Sequence, residues 1–297
     1  MKSDAQTVPV VAAPSRFADL LALAKPRLNF LVVVSAAAGY VMGNGDMHDA
    51  VKLLSTVLGT GLVAGGASAV NQIIEREPDA LMRRTRLRPM PDNRVAQRDA
   101  WLFAATLTLL GVGILAFGAN LLSAVVALVT LITYTAVYTP LKRYSSFSTV
   151  IGAIPGALPP AIGWAAAENG LSRGAWVLFG IVFLWQLPHF LAIAWIHRED
   201  YARAGFPMLP VIEPDGRSTS RQAAIYALAL LPLSLAPTLI GMAGAIYFLV
   251  AFGLTLLFVA LALRFWMTRS SADARRLFLG SIAYLPIIWI VMILDRA

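Results

Sequence analysis

The chain has 297 residues, 58% of them hydrophobic and only 13% charged, with a formal net charge of +8 and a mean hydropathy of +0.71. A composition this apolar excludes an ordinary soluble domain, and the absence of cysteine excludes disulfides and thiolate metal sites. The positive balance needs no nucleic acid, because the basic residues fall at the ends of apolar runs.

The chain opens on MKSDAQTVPVVAAPS, which has no apolar core of signal-peptide length. Residues 1–20 read as a disordered cytoplasmic tail, and 21–297 as one membrane domain. Crossing a bilayer takes roughly 20 helical residues, and apolar runs of about that length recur to the far end. The expectation is an all-α, polytopic membrane protein with nine transmembrane helices, over about 27–43, 53–74, 100–117, 121–139, 149–167, 174–196, 223–241, 244–263 and 277–294. In the fifth of these, Pro155, Pro159 and Pro160 must bend or break the helix.

The connections alternate in character. Those after spans 1, 3, 5 and 7 are short and nearly uncharged, whereas those after the even-numbered spans are basic. Of the 24 Lys and Arg, 21 fall on the N-terminal side and only Lys52, Arg173 and Arg296 on the other. The positive-inside rule therefore predicts a cytoplasmic N-terminus, with every even-numbered span delivering its C-terminal end to the cytoplasmic face.

Three chemically loaded segments meet that description. The end of span 2 carries Asn71, Glu75 and Asp79, the end of span 4 carries YTPLKR (138–143), and the end of span 6 carries HFLAIAWIHREDY (189–201). If the span 2 helix continues, Asn71, Glu75 and Asp79 fall at i, i+4 and i+8 on one face, about 6 Å of rise apart. Hard oxygen ligands at that pitch suit Mg²⁺, which takes one or two carboxylates and completes its shell with water and phosphate. Pro78 opposes the helix at Ile74 and places Asp79 at or past a break. Glu199 and Asp200 form the counterpart after span 6. Arg88, Lys142 and Arg143 are candidates to neutralise a diphosphate, Arg by a planar fork and Lys as a point charge. A diphosphate on a greasy tail is the substrate that acids, bases and apolar spans together suit. His189, in an otherwise apolar span, must find a partner, and a hydrogen bond to a neighbouring helix is the plain reading.

Four stretches carry a resemblance: NQIIERE.D..M.RT..RPM (71–90), YT.LKR (138–143), G..PPAIGW (156–164), and WQ.PHF running into DYARAGFPMLP (185–210). Over roughly residues 20 to 295 the chain resembles the haem O synthases, or protohaem IX farnesyltransferases, a branch of the intramembrane prenyltransferase (UbiA-type) superfamily. In the superfamily's Asn-x₃-Asp-x₃-Asp motif the matching positions are Asn71, Glu75 and Asp79. Glu77 and Pro78 depart from the pattern, which has Asp followed by an apolar residue. The resemblance implies nine helices around a central cavity and Mg²⁺-dependent transfer of the farnesyl group of farnesyl diphosphate to a vinyl group of haem B, with addition of water, giving haem O.

It also implies a metal site of Asn71, Glu75, Asp79, Glu199 and Asp200, and diphosphate contacts from Arg84, Arg88, Tyr138, Lys142 and Arg143. His189 is placed with the catalytic residues, and with haem as acceptor its readings beside the hydrogen bond are axial ligation of the haem iron and assistance to the addition of water. Membrane lipid surrounds such an enzyme, and haem A synthase or a terminal oxidase assembly are the protein partners it suggests, in the bacterial inner membrane. The competing expectations are a relative acting on a quinone precursor or chlorophyllide, and a transporter of an anionic lipid or haem.

Overall fold

The computed structural model describes residues 15–43 and 49–297. The expected tail lies outside the described residues as far as residue 14. Its last part is helical, because Ser15 accepts the Ala18 N–H and starts α1 (Arg16–Leu23). That helix is tied to the body by Arg16 on Asp99 at 2.7 Å and by a buried Asp19 that pairs with Arg94.

The remaining helices are α2 (Pro26–Met42), α3 (Ala50–Ile74), α4 (Arg76–Leu81), α5 (Gln97–Gly118), α6 (Leu121–Ile132), α7 (Thr139–Leu141), α8 (Ser148–Ala157), α9 (Pro159–Glu168), α10 (Arg173–Ile196), α11 (Arg198–Arg203), α12 (Leu209–Ile212), α13 (Arg217–Leu239), α14 (Ala245–Thr268) and α15 (Ser271–Leu294). Among the described residues eight rods are long and apolar enough to cross a membrane, with α6–α7 and α8–α9 each counted as one. The pair α1 and α2, bent by 46°, supplies a ninth. Several helices outrun the predicted spans; α13, for example, begins at Arg217. Hydropathy marks where hydrocarbon begins, whereas the helix continues into polar surroundings as long as its backbone bonds are made.

Two crossings rest on missing side chains. A Cβ on Gly163 would lie 1.8 Å from the Ala36 carbonyl oxygen, and one on Gly39 would lie 2.0 Å from that of Pro160. Helices α2 and α9 therefore touch backbone to backbone. The same holds for α3 and α5, where Gly59 and Gly111 each face the other's carbonyl.

Prolines set the breaks. Pro159 opens α9 at its first position, so the fifth span parts at Leu158 yet continues in direction. Pro140 lacks an N–H and its ring opposes the carbonyl four residues back. Just before it, residues Thr133–Tyr138 widen into a π-helical turn, and the Thr139 N–H reaches back to Tyr134. Pro78 ends α3 one turn ahead of itself.

Helix ends confirm the predicted parity. On the face with few charges, Lys52 donates to the Ala167 carbonyl at 3.4 Å and Arg296 to that of Val41 at 2.6 Å, so ends of the first, second, fifth and ninth spans meet there. On the opposite face the ends of α3, α7 and α10 come together.

Replacing Gly163 by Ala is expected to destabilise the protein by about 2 kcal/mol through overpacking, read as earlier thermal unfolding in detergent. Gly253, whose Cβ would meet nothing within 4 Å, is the contrast: Gly253→Ala should stabilise α14 by up to about 1 kcal/mol.

Candidate active site

The charged cluster grows from the broken end of α3. The Asp79 N–H still donates to the Glu75 carbonyl at 2.8 Å, and the Glu75 N–H to that of Asn71 at 2.9 Å. The helical register of the three predicted residues thus survives the change of element at Glu75. Pro78 has no N–H to offer Ile74, and the freed carbonyl of Ile74 accepts Arg143 Nη2 at 3.0 Å. Arg143 is exposed and serves as this cap.

All three residues are buried, Asn71 at 3%, Glu75 at 3% and Asp79 at 1% exposure. Each meets a cation. Lys25 Nζ donates to Asn71 Oδ1 at 3.0 Å, Lys142 Nζ to Glu75 Oε1 at 2.6 Å, and Arg88 Nη1 to Asp79 Oδ2 at 2.8 Å. Asn71 completes its set by donating to Thr139 Oγ1 at 3.2 Å. The π-turn is what carries Thr139 to this place, since its hydroxyl also donates to the Tyr134 carbonyl at 2.8 Å.

Burial alone would push the Glu75 carboxyl up; the Lys142 ammonium outweighs it and holds the acid below its usual range. Burial likewise works against the Lys142 charge, and Glu75 raises the ammonium above its ordinary value. Lys142 also lies 5.3 Å from the Tyr138 ring and 5.3 Å from the Phe206 ring.

Beneath this floor lies a cavity of about 340 Å³. Six of the nine spans supply its wall, the first, second, fourth, fifth, sixth and ninth, whereas α5, α13 and α14 supply none of its lining residues. Lys25, Asn29 and Tyr138 belong to its charged end; Thr60, Ile162 and Val182 lie deeper; Gln186 and His189 line one side.

The second acidic pair divides. Asp200 is buried and meets the N–H of Arg83 at 3.2 Å and the guanidinium of Arg203. Burial would raise its carboxyl, and those two donors hold it below the usual range. It therefore ties the loop after span 2 to the helix after span 6. Arg84 stacks over the Tyr201 ring at 6.0 Å, and Met82, Phe206 and Met208 pack together, so the two long loops form one cap. Glu199 and Glu77 are exposed, and neither joins the acids of α3.

Among the described residues no three acidic or histidine side chains stand close enough to enclose an ion by themselves. The expected shell of Asn71, Glu75, Asp79, Glu199 and Asp200 is thus not assembled from protein groups, because Glu199 points outward and Asp200 is engaged with the cap. One observation does fit Mg²⁺: Asp79 Oδ1 is a buried carboxylate oxygen with no partner, one helical turn beyond Glu75 and two beyond Asn71 in an unbroken backbone register. That donor set leaves the remaining positions for water and phosphate, the ordinary way of holding this ion.

Sequence reasoning missed Lys25, Thr139 and the cap formed by Arg143. Lys25 had a signal, since Pro26 marks the first position of α2 and so puts the lysine at a helix boundary. Thr139 had none, because its placement depends on the π-turn.

Residues 32–286 match the UbiA prenyltransferase family. The chain is 47% identical over 287 residues to the protoheme IX farnesyltransferase of Solibacter usitatus, covering 94% of this chain and 98% of that protein. A structure described as digeranylgeranylglyceryl phosphate synthase in membranes superposes with a TM-score of 0.77 at 17% identity, over 94% of this chain and 98% of the other. A UbiA homologue from Archaeoglobus fulgidus bound to GPP and Mg²⁺ gives 0.65 at 18%, over 92% and 99%. These two likenesses speak to the fold.

Lys142→Met leaves Glu75 as an uncompensated buried charge and is expected to cost about 3–5 kcal/mol at neutral pH. In the native protein the depressed Glu75 carboxyl contributes stability above its unfolded pKa, which is lost as pH falls through the folded value. In the variant the main counterweight to burial is gone and only the smaller influences of Lys25 and Asn71 oppose it, so the carboxyl moves up and acidification should narrow the deficit. Unfolding measured against pH in detergent checks the sign.

Proposed function

Because the chain belongs to the UbiA prenyltransferase family, we propose that its oxygen-lined, cation-ringed floor binds farnesyl diphosphate as a Mg²⁺ complex and that its cavity serves transfer of the farnesyl group to haem B. The enzyme is an integral membrane prenyltransferase. The product of the proposed reaction is haem O, formed with addition of water and release of diphosphate.

The observation that carries this reading is the direct junction of the two environments. Lys25 and Tyr138 line one end of a cavity whose walls are mostly hydrocarbon, and through them that end adjoins the buried Asn71, which accepts from Lys25, and Lys142, which lies 5.3 Å from the Tyr138 ring and pairs with Glu75. From Thr60 to Ile74 the helix rises about 21 Å, depth enough for three isoprene units below a head group at the floor. A relative 47% identical to this chain, from Solibacter usitatus, is called a protoheme IX farnesyltransferase.

Asp79, Glu75 and Asn71 would hold Mg²⁺, which supplies Lewis acidity to the leaving diphosphate. Lys142 is kept charged by Glu75 and Arg88 is held in place by Asp79, so their positive charge is aimed before any substrate arrives. Lys25 adds a third cation from the opposite wall. The aromatic and aliphatic lining keeps water from the allylic centre while the C–O bond breaks. Asp200 acts by fixing the cap, and Glu199 stands at its exposed rim. With the basic loops inside, the N-terminus is cytoplasmic and the diphosphate site faces the cytoplasm of the bacterial inner membrane.

Purified enzyme in lipid discs, given haem B, farnesyl diphosphate and Mg²⁺, should release diphosphate and form a farnesylated haem, with 4-hydroxybenzoate inert as acceptor. Asp79→Ala should lower turnover by about a hundredfold or more while folded protein still reaches the membrane. Glu199→Ala should stay within a few-fold of the parent. Full turnover by the Asp79 variant, or loss of Mg²⁺ dependence in the parent, overturns the reading.

A further inference from the structure

His189 faces the cavity from α10, and its ring is held on several sides. Trp185 stacks on it at 5.5 Å with 23° between planes, and Phe278 of α15 lies 5.0 Å away. Its Nδ1 lies 2.6 Å from the Ser281 hydroxyl. Ser281 is fully buried, and its own position is fixed by Trp185 Nε1 donating to its carbonyl at 2.9 Å.

The proton count settles which nitrogen carries hydrogen. A serine hydroxyl has one hydrogen to give. That hydrogen is directed to the Phe278 carbonyl at 2.5 Å, one turn back in α15. The hydroxyl can therefore only accept from His189, which makes Nδ1 the protonated nitrogen and leaves the lone pair on Nε2. Among the described residues no protein group hydrogen-bonds Nε2. His189 also lies seven residues before Ile196, about 10 Å of helix rise below the charged face, the depth just beneath a bound head group.

We propose that Ser281 is a positioning residue which fixes His189 as the Nδ1–H tautomer, so that Nε2 takes the proton from the water that completes the transfer. The inference rests on the reading of haem B as the acceptor. In that reaction the terminal vinyl carbon bonds to C1 of the farnesyl group as the C1–O bond to diphosphate breaks, and positive charge passes to the carbon next to the macrocycle. The oxygen of water bonds to that carbon, and its surplus proton passes to Nε2. The result is a hydroxyalkyl substituent, free diphosphate and a protonated His189, which later returns its proton to solvent. Without an aligned base the cation loses a carbon-bound proton instead, and the product is lighter by one water.

The test is the product ratio, read by mass spectrometry of haem extracted from single-turnover mixtures of parent, His189→Gln and Ser281→Ala enzymes in lipid discs. The Ser281 variant frees the ring to take either tautomer, and its hydrated product should form about tenfold more slowly. The His189 variant should lose a hundredfold or more of hydration. In both, the dehydrated haem should accumulate while diphosphate release continues. A parent ratio retained in both variants overturns the proposal, including the case in which both merely slow. A shift of the bound-haem absorption band in His189→Gln, with the product ratio unchanged, assigns Nε2 to the iron and likewise overturns it. If the parent enzyme forms no farnesylated haem of either kind, it is the acceptor assignment that fails, which the same measurement separates.

Discussion

The ion pair between Glu75 and Lys142 is the contact on which the arrangement of the charged end depends. It joins the end of the second span to the end of the fourth at 2.6 Å, with Glu75 buried and Lys142 largely so. An acid alone at that depth would take up a proton, and a lysine alone would lose one. Together they remain charged; the ion pair Asp79–Arg88 stands on one side of them, and on the other Lys25 donates to the neutral amide of Asn71. Cations strong enough to hold a diphosphate would otherwise be driven out of an apolar protein. Here the acids proposed to hold a metal also keep the bases at the membrane edge.

Broken helices supply the geometry. Every proline in a spanning helix releases a carbonyl, and a bilayer tolerates that only where something else can donate to it. Pro78 frees Ile74, and Arg143 answers. Pro140 sits behind a π-turn that brings Thr139 against Asn71 and sets Tyr134 and Tyr138 along the cavity. The irregular stretches are thus concentrated where polar groups must face inward. The rest of the wall is held by close backbone crossings such as Gly39 against Pro160.

Much of this was legible in the sequence. Nine apolar runs and alternating basic loops state the spans and the shared face of the even-numbered helix ends. The spacing of Asn71, Glu75 and Asp79 states a common face, which the backbone bonds across Glu75 preserve. What did not carry through was the second acidic pair. Glu199 and Asp200 are adjacent in sequence, and adjacent residues on a helix point about 100° apart. One is therefore buried against Arg83 and Arg203 while the other faces outward. Arg143 looked like a diphosphate contact because it follows Lys142, and the same geometry directs it to a backbone carbonyl instead. Lys25 was hidden among residues that a charge count assigns to topology.

The cavity adjoins charge at one end only, and that asymmetry sorts what leaves it. A small, highly charged leaving group has no path through hydrocarbon and departs by the basic rim into water. In the proposed reaction the enlarged macrocycle keeps only its two propionates for that rim, and its new hydrocarbon tail draws it sideways into lipid. The two products therefore exit into different phases, so neither readily meets the other again, and the forward direction is favoured by solubility without any gate having to close between them.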